Sequence, residues 1–125
     1  MIPFVVTGLY YRDVERGVPS VFVRQMEQHG LTRDDIRMII SDRTLERRLA
    51  AGEPLKVEEG DALARLLRVV SQARSVFGDA ALADEWLRSA NPELGGGVPI
   101  RMARTDLGGR EVESVLGRIA HGVFG

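Results

Sequence analysis

The sequence predicts an all-α fold, a helix-turn-helix N-terminal half joined by a long central helix to a small C-terminal helical bundle. Three observations carry it. From about Val57 to Phe77 the apolar residues recur at helical spacing. Other segments open on Pro, Ser, Thr or Asp and close on Gly, the order of helix start and stop signals. Two short helices with a tight connection, across about twenty residues, have the dimensions of a helix-turn-helix.

The elements follow in order. Residues 1–17 lack a clean helical period, with an apolar run Ile2 to Val6 and a charged stretch Arg12 to Arg16, and are expected to form an N-terminal arm. Pro19 opens a first helix through Val21, Phe22 and Met26 to His29-Gly30. Thr32 caps a second, with Asp34 and Asp35 favourably placed in its first turn and Ile36, Met38, Ile39 and Ile40 as apolar surface. Ser41 or Asp42 starts a third, ending at Ala51-Gly52. Glu53-Pro54-Leu55 breaks the chain before the long helix, which Glu58, Glu59 and Asp61 begin.

That helix carries two adjoining apolar stripes, Ala62, Leu66, Val69, Ala73, Val76 and Leu63, Leu67, Val70, Phe77. One neighbour cannot cover so wide a face, so the helix is expected at the centre. Asp79 caps the next helix, with Leu82, Trp86 and Leu87 inward, until Asn91-Pro92 ends it. Gly95-Gly96-Gly97 reads as a flexible connection, lacking the preceding strand and the spacing of a phosphate loop. Pro99 opens a short helix, and Gly108-Gly109 separates it from the last, whose Val112, Val115, Leu116 and Ile119 share one face. The domains expected are 1–17, 18–56 and 57–125.

Composition bounds the function. The 125 residues are 44% hydrophobic, ample for a globular interior, and carry 17 basic and 18 acidic groups, a net charge of −1. Nucleic-acid binding would therefore need a local patch. With no cysteine there are no disulfides, thiolate metal sites or cysteine nucleophiles, and a reducing cytoplasm is expected. No apolar run approaches the roughly 20 residues of a membrane span. Lys56 is the sole lysine, so nearly every cation is a guanidinium suited to planar, bidentate contacts.

In the third helix Leu45 and Leu49 mark the buried side, leaving Arg43, Glu46 and Arg47 outward and Thr44 with Arg48 on a flank. Guanidinium groups there suit the guanine edge and the phosphates; a solvated face with Arg–Glu pairing is the plainer account. His29 and His121 precede glycines at helix ends, where capping explains both. No nucleophile, carboxylate pair or histidine cluster is placed for catalysis, so no catalytic residue, metal or cofactor is expected, and the chain is not expected to be an enzyme. Beyond the last helix, Val123-Phe124 stands between Gly122 and Gly125, either frayed or a short peptide for another protein's pocket.

Phe77-Gly78-Asp79, Trp86-Leu87, Asn91-Pro92, Leu94-Gly95-Gly96, Pro99-Ile100, Gly109-Arg110-Glu111-Val112, Leu116-Gly117-Arg118-Ile119 and His121-Gly122-Val123-Phe124 follow one another over nearly half the chain. This series resembles the toxin-binding domain of the Xre/ParS/MbcA antitoxins. Arg43 to Arg48 resembles that family's divergent helix-turn-helix. The resemblance implies a RES-domain toxin as partner, one that consumes NAD or transfers from it, whose NAD pocket the C-terminal segment blocks. It places Arg110, Glu113, Arg118, His121, Gly122, Val123, Phe124 and Gly125 against the toxin. It further implies operator DNA bound through Arg43, Thr44, Arg47 and Arg48, autorepression, and a homodimer within a toxin–antitoxin assembly. The apolar arm and the mixed-charge third helix depart from the family's pattern. The alternative function is a stand-alone helix-turn-helix regulator whose C-terminal half dimerises.

Overall fold

A computed structural model describes residues 17–122; the arm before Gly17, and Val123, Phe124 and Gly125, lie outside the described residues. Within them the chain is all-α. Seven α-helices follow in order: α1 (Phe22–Gln28), α2 (Arg33–Arg37), α3 (Asp42–Ala51), α4 (Val57–Phe77), α5 (Ala80–Leu87), α6 (Pro99–Met102) and α7 (Asp106–Ala120), with a 3-10 turn at Pro92–Leu94.

Side-chain caps set the starts. Thr32 and Asp35 form a reciprocal box at α2, Asp35 N–H donating to Thr32 Oγ1 at 3.1 Å and Thr32 N–H to Asp35 Oδ2 at 2.8 Å. Ser41 Oγ accepts from Thr44 N–H at α3, and Asp79 Oδ1 from Ala81 and Leu82 N–H at α5. Gly52 and Gly78 end α3 and α4 with φ of +68°, which glycine adopts without the strain a Cβ brings. The carbonyl of Val18 accepts from Leu55 N–H at 2.8 Å, tying the entry of the helix-turn-helix to its exit.

One apolar cluster runs through both halves, with α4 at its centre. Leu63, Leu66, Val69 and Val70 of α4 are buried with Val23, Met26, Ile36 and Leu45 of the first half and Leu87, Ile100, Val112 and Leu116 of the second. Both stripes of the long helix are thus used. Truncating any of its buried leucines to alanine costs about 2–5 kcal/mol in such a core.

The structure corrects three sequence expectations. Leu82 is exposed, and Ala83 with Leu87, one turn apart, fills the inner face of α5, because packing against the core and not local periodicity decides which face of so short a helix turns inward. Trp86, by contrast, packs against the core as expected, half-buried with its ring 5.8 Å from that of Phe77. Gly108-Gly109 does not precede α7 but lies in its first turn, Thr105 capping from Oγ1 to Gly108 N–H at 3.1 Å. A Cβ at Gly108 would overlap the Met102 carbonyl, so glycine there permits close packing against α6. The triple glycine closes a hydrogen-bonded turn, Asn91 N–H donating to Gly97 O at 3.0 Å and Gly96 N–H to Asn91 O at 2.9 Å.

Candidate functional site

Helix α7 is fastened to α4 along one side. Gly109, Val112, Val115 and Leu116 are buried, as an amphipathic pattern of that spacing requires. Beside them Arg68 of α4 donates from Nε and Nη2 to the two carboxylate oxygens of Glu113, both at 3.1 Å, and Gln72 Nε2 donates to the Glu113 carbonyl at 3.3 Å. Hydrogen bonding to Glu113, ahead of its Coulomb attraction, raises the Arg68 pKa above its ordinary value.

At the other end of α7, the buried Arg65 reaches under the α6–α7 turn. Its Nε donates to Ala103 O at 2.7 Å, Nη2 to Arg104 O at 2.8 Å and Nη1 to Asp61 Oδ2 at 3.0 Å. Its stem lies against Gly109, where an added Cβ would stand 2.7 Å from Arg65 Cδ. Neither Arg65 nor Arg68 stood out among the sequence candidates. The signal for Arg65 was its place one turn from Ala62 and Val69, which puts a cation on an apolar face.

Between α4 and α7 runs a groove of about 690 Å³, lined by Arg68, Gln72, Val76, Glu113, Gly117 and His121 among others. Glu113 and His121 therefore share one feature, while Arg110 and Arg118 are exposed and do not line it. Arg110 pairs with Asp106 at 3.0 Å and Arg118 Nη1 donates to Ser114 Oγ at 3.2 Å, both within α7. His121 caps α7, its N–H reaching Gly117 O, and Gly122 turns out of the helix with φ of +70°. Val123, Phe124 and Gly125 lie outside the described residues.

On the helix-turn-helix, Arg43 and Arg47 are exposed, Arg47 within 3.5 Å of Glu53, and Thr44 is half-buried against Ser41. Arg48 is not on the flank. It is 6% exposed and pairs with Glu59 of α4, so its guanidinium joins α3 to α4 rather than facing outward. The reason is register: one turn after Leu45 the helix faces α4, where Glu59 also closes the α4 start by accepting from Lys56 N–H at 2.8 Å. The outer face carries Asp42, Arg43, Glu46 and Arg47, with Arg37 Nε bound to Asp42 at 2.9 Å and Arg24 to Glu46 at 3.3 Å.

Among the described residues no group of three metal-binding side chains exists, and no helix is long and apolar enough to cross a membrane.

Residues 72–122 match the family model of the antitoxin Xre/MbcA/ParS C-terminal toxin-binding domain, and residues 10–68 that of the antitoxin Xre-like helix-turn-helix domain. Similar proteins called Antitoxin Xre occur in Pseudomonas putida, 36% identical over 80% of this chain and 63% of that protein, and in Yersinia enterocolitica, 35% identical over 68% and 58%. A third, from Photorhabdus laumondii, is 29% identical over 88% of this chain and 77% of its own length. The chain spans about three-fifths of the length of the first two.

Proposed function

The chain belongs to the Xre/MbcA/ParS antitoxin family, and on that premise we propose that it binds and neutralises a RES-domain toxin by blocking the toxin's NAD pocket. The toxin consumes NAD or transfers ADP-ribose from it, and the antitoxin itself catalyses nothing. One observation carries the reading. Within residues 72–122, α7 is held by Val112, Leu116 and the Arg68–Glu113 pair, leaving Arg110, Arg118 and His121 exposed and the chain leaving through Gly122. A segment 122–125 carried by so anchored a stem loses less entropy on insertion than a free peptide. That supports a plug made of His121, Gly122, Val123, Phe124 and Gly125, with Arg110, Glu113 and Arg118 at its rim.

The helix-turn-helix binds operator DNA through Arg43, Thr44 and Arg47, and the complex represses its own operon in the cytoplasm. Two exposed arginines on a mixed-charge face bind weakly alone, so a homodimer supplies two recognition helices.

The test is co-expression with the product of the neighbouring open reading frame. The full chain should co-purify stoichiometrically and suppress NAD turnover, and removal of Gly122 to Gly125 should abolish suppression while folding and DNA binding persist. A stand-alone regulator would be indifferent to that deletion. Failure of the full chain to bind its neighbour's product would overturn the reading.

A further inference from the structure

Most described arginines have a carboxylate or carbonyl partner, as Arg24, Arg37, Arg47, Arg48, Arg65, Arg68, Arg88 and Arg110 do. Arg101 and Arg104, like Arg43 and Arg74, have none among the described residues, and they alone of these four lie together at one surface depression. Both are exposed, and neither guanidinium has a hydrogen bond or ion pair among the described residues. They flank one depression of about 360 Å³ at the α6–α7 turn, shared with Met102, Leu107 and Glu111. Leu107 on its edge is 70% exposed, the most exposed of the large apolar residues described.

The backbone under these groups is fixed. Arg65 holds the carbonyls of Ala103 and Arg104 from below, and Thr105 caps α7. Two unpaired guanidinium groups and an apolar knob on a held backbone are what a binding hot spot needs: desolvable anchors that bind without any further cost of ordering the main chain. None of the residues of this depression lines the α4–α7 groove.

We propose that Arg101, Arg104 and Leu107 form a second docking surface for the toxin protein, receiving an acidic segment. A carboxylate of that segment sits between the two guanidinium groups and an apolar side chain packs on Leu107. The proposal rests on the reading above that the chain binds a toxin. Charge complementarity selects an acidic occupant, and chemistry selects protein over nucleic acid. Leu107 and Met102 offer apolar surface that a phosphate backbone does not use and an apolar side chain of a protein segment does.

Affinity of the full chain for its toxin should be measured at low and high salt for wild type, R101E/R104E and Leu107→Asp. The substituted side chains are exposed, so melting temperature and operator binding should not change. Expected is at least a tenfold weaker Kd for each variant, a flattened salt dependence for the charge reversal, and recovery when one acidic toxin residue is changed to lysine. Unchanged toxin affinity in the variants, while wild type binds, overturns the proposal and leaves the antitoxin reading standing. Loss of operator binding alone assigns the surface to nucleic acid, and an altered oligomeric state alone assigns it to a second copy; either overturns it. No toxin binding by the wild type removes the antitoxin reading and this surface together.

Discussion

Arg88 of the C-terminal half donates from Nη1 and Nη2 to the two carboxylate oxygens of Asp35, at 2.7 and 2.9 Å, across 53 residues of sequence. The Asp35 side chain is 4% exposed and simultaneously caps α2. One carboxylate therefore fixes both the start of α2 and the orientation of the helix-turn-helix half on the end of α5. Arg88 Nη2 also reaches the Gly30 carbonyl at 3.4 Å.

Removing the cation leaves that carboxylate buried with only its cap bond. Arg88→Met is expected to lower stability by about 2–3 kcal/mol in chemical denaturation, the scale for a buried charged group losing its partner with water able to approach one side. Hydrogen bonding to Asp35 is the largest cause raising the Arg88 pKa. A raised folded pKa stabilises fully below the unfolded value and is lost only as pH climbs through the folded one. The arginine contribution should accordingly be constant between about pH 6 and 9. A loss within 0.5 kcal/mol of zero would show that the pair only breaks even.

Arginines of α3 should separate by role. Arg43→Ala and Arg47→Ala are expected to leave thermal melting unchanged and to weaken operator binding with a shallower salt slope. Arg48→Ala should instead lower stability by about 2–3 kcal/mol, because it strands Glu59 at the α4 start. Native-like melting of Arg48→Ala would contradict this assignment.

Glycines of α7 should respond with opposite signs to alanine. Gly117 has open space around a Cβ, so Gly117→Ala should stabilise by about 0.5–1 kcal/mol through helix propensity. At Gly108 the same change meets the Met102 carbonyl and should cost about 2–3 kcal/mol by forcing α6 and α7 apart. Urea titration of both variants measures the difference directly.

Arg65 is expected to act as the clamp of the α6–α7 turn. Arg65→Leu frees two carbonyls and should cost about 2–4 kcal/mol, with faster amide exchange at the α7 start. Arg65→Lys keeps the charge but cannot span both carbonyls and Asp61 together, so it should recover less than half of the loss. Equal stability for leucine and arginine would rule the clamp out.

Local chemistry made most of the fold readable in advance. Thr32, Ser41 and Asp79 start helices and Gly52 and Gly78 end them because capping and left-handed turns depend on a few neighbouring residues. The apolar stripes of α4 likewise imply its central position, since periodicity alone sets which side chains share a face. Inside the candidate site, the buried side of α7 followed from Val112, Val115 and Leu116 in the same way.

What sequence alone determined, then, was what depends on neighbours within about four residues: the all-α class, most of the helix limits and faces though not the start of α7 or the inner face of α5, and the series of residues that marks the antitoxin family. Tertiary structure decided the partners of charges. Arg48 turned inward to Glu59, Arg68 took Glu113, Arg88 crossed to Asp35, and Arg101 with Arg104 were left without one. A long, flexible guanidinium can reach several carboxylates, and which one it meets is set by how the helices cross, a relation between distant segments that no local pattern encodes.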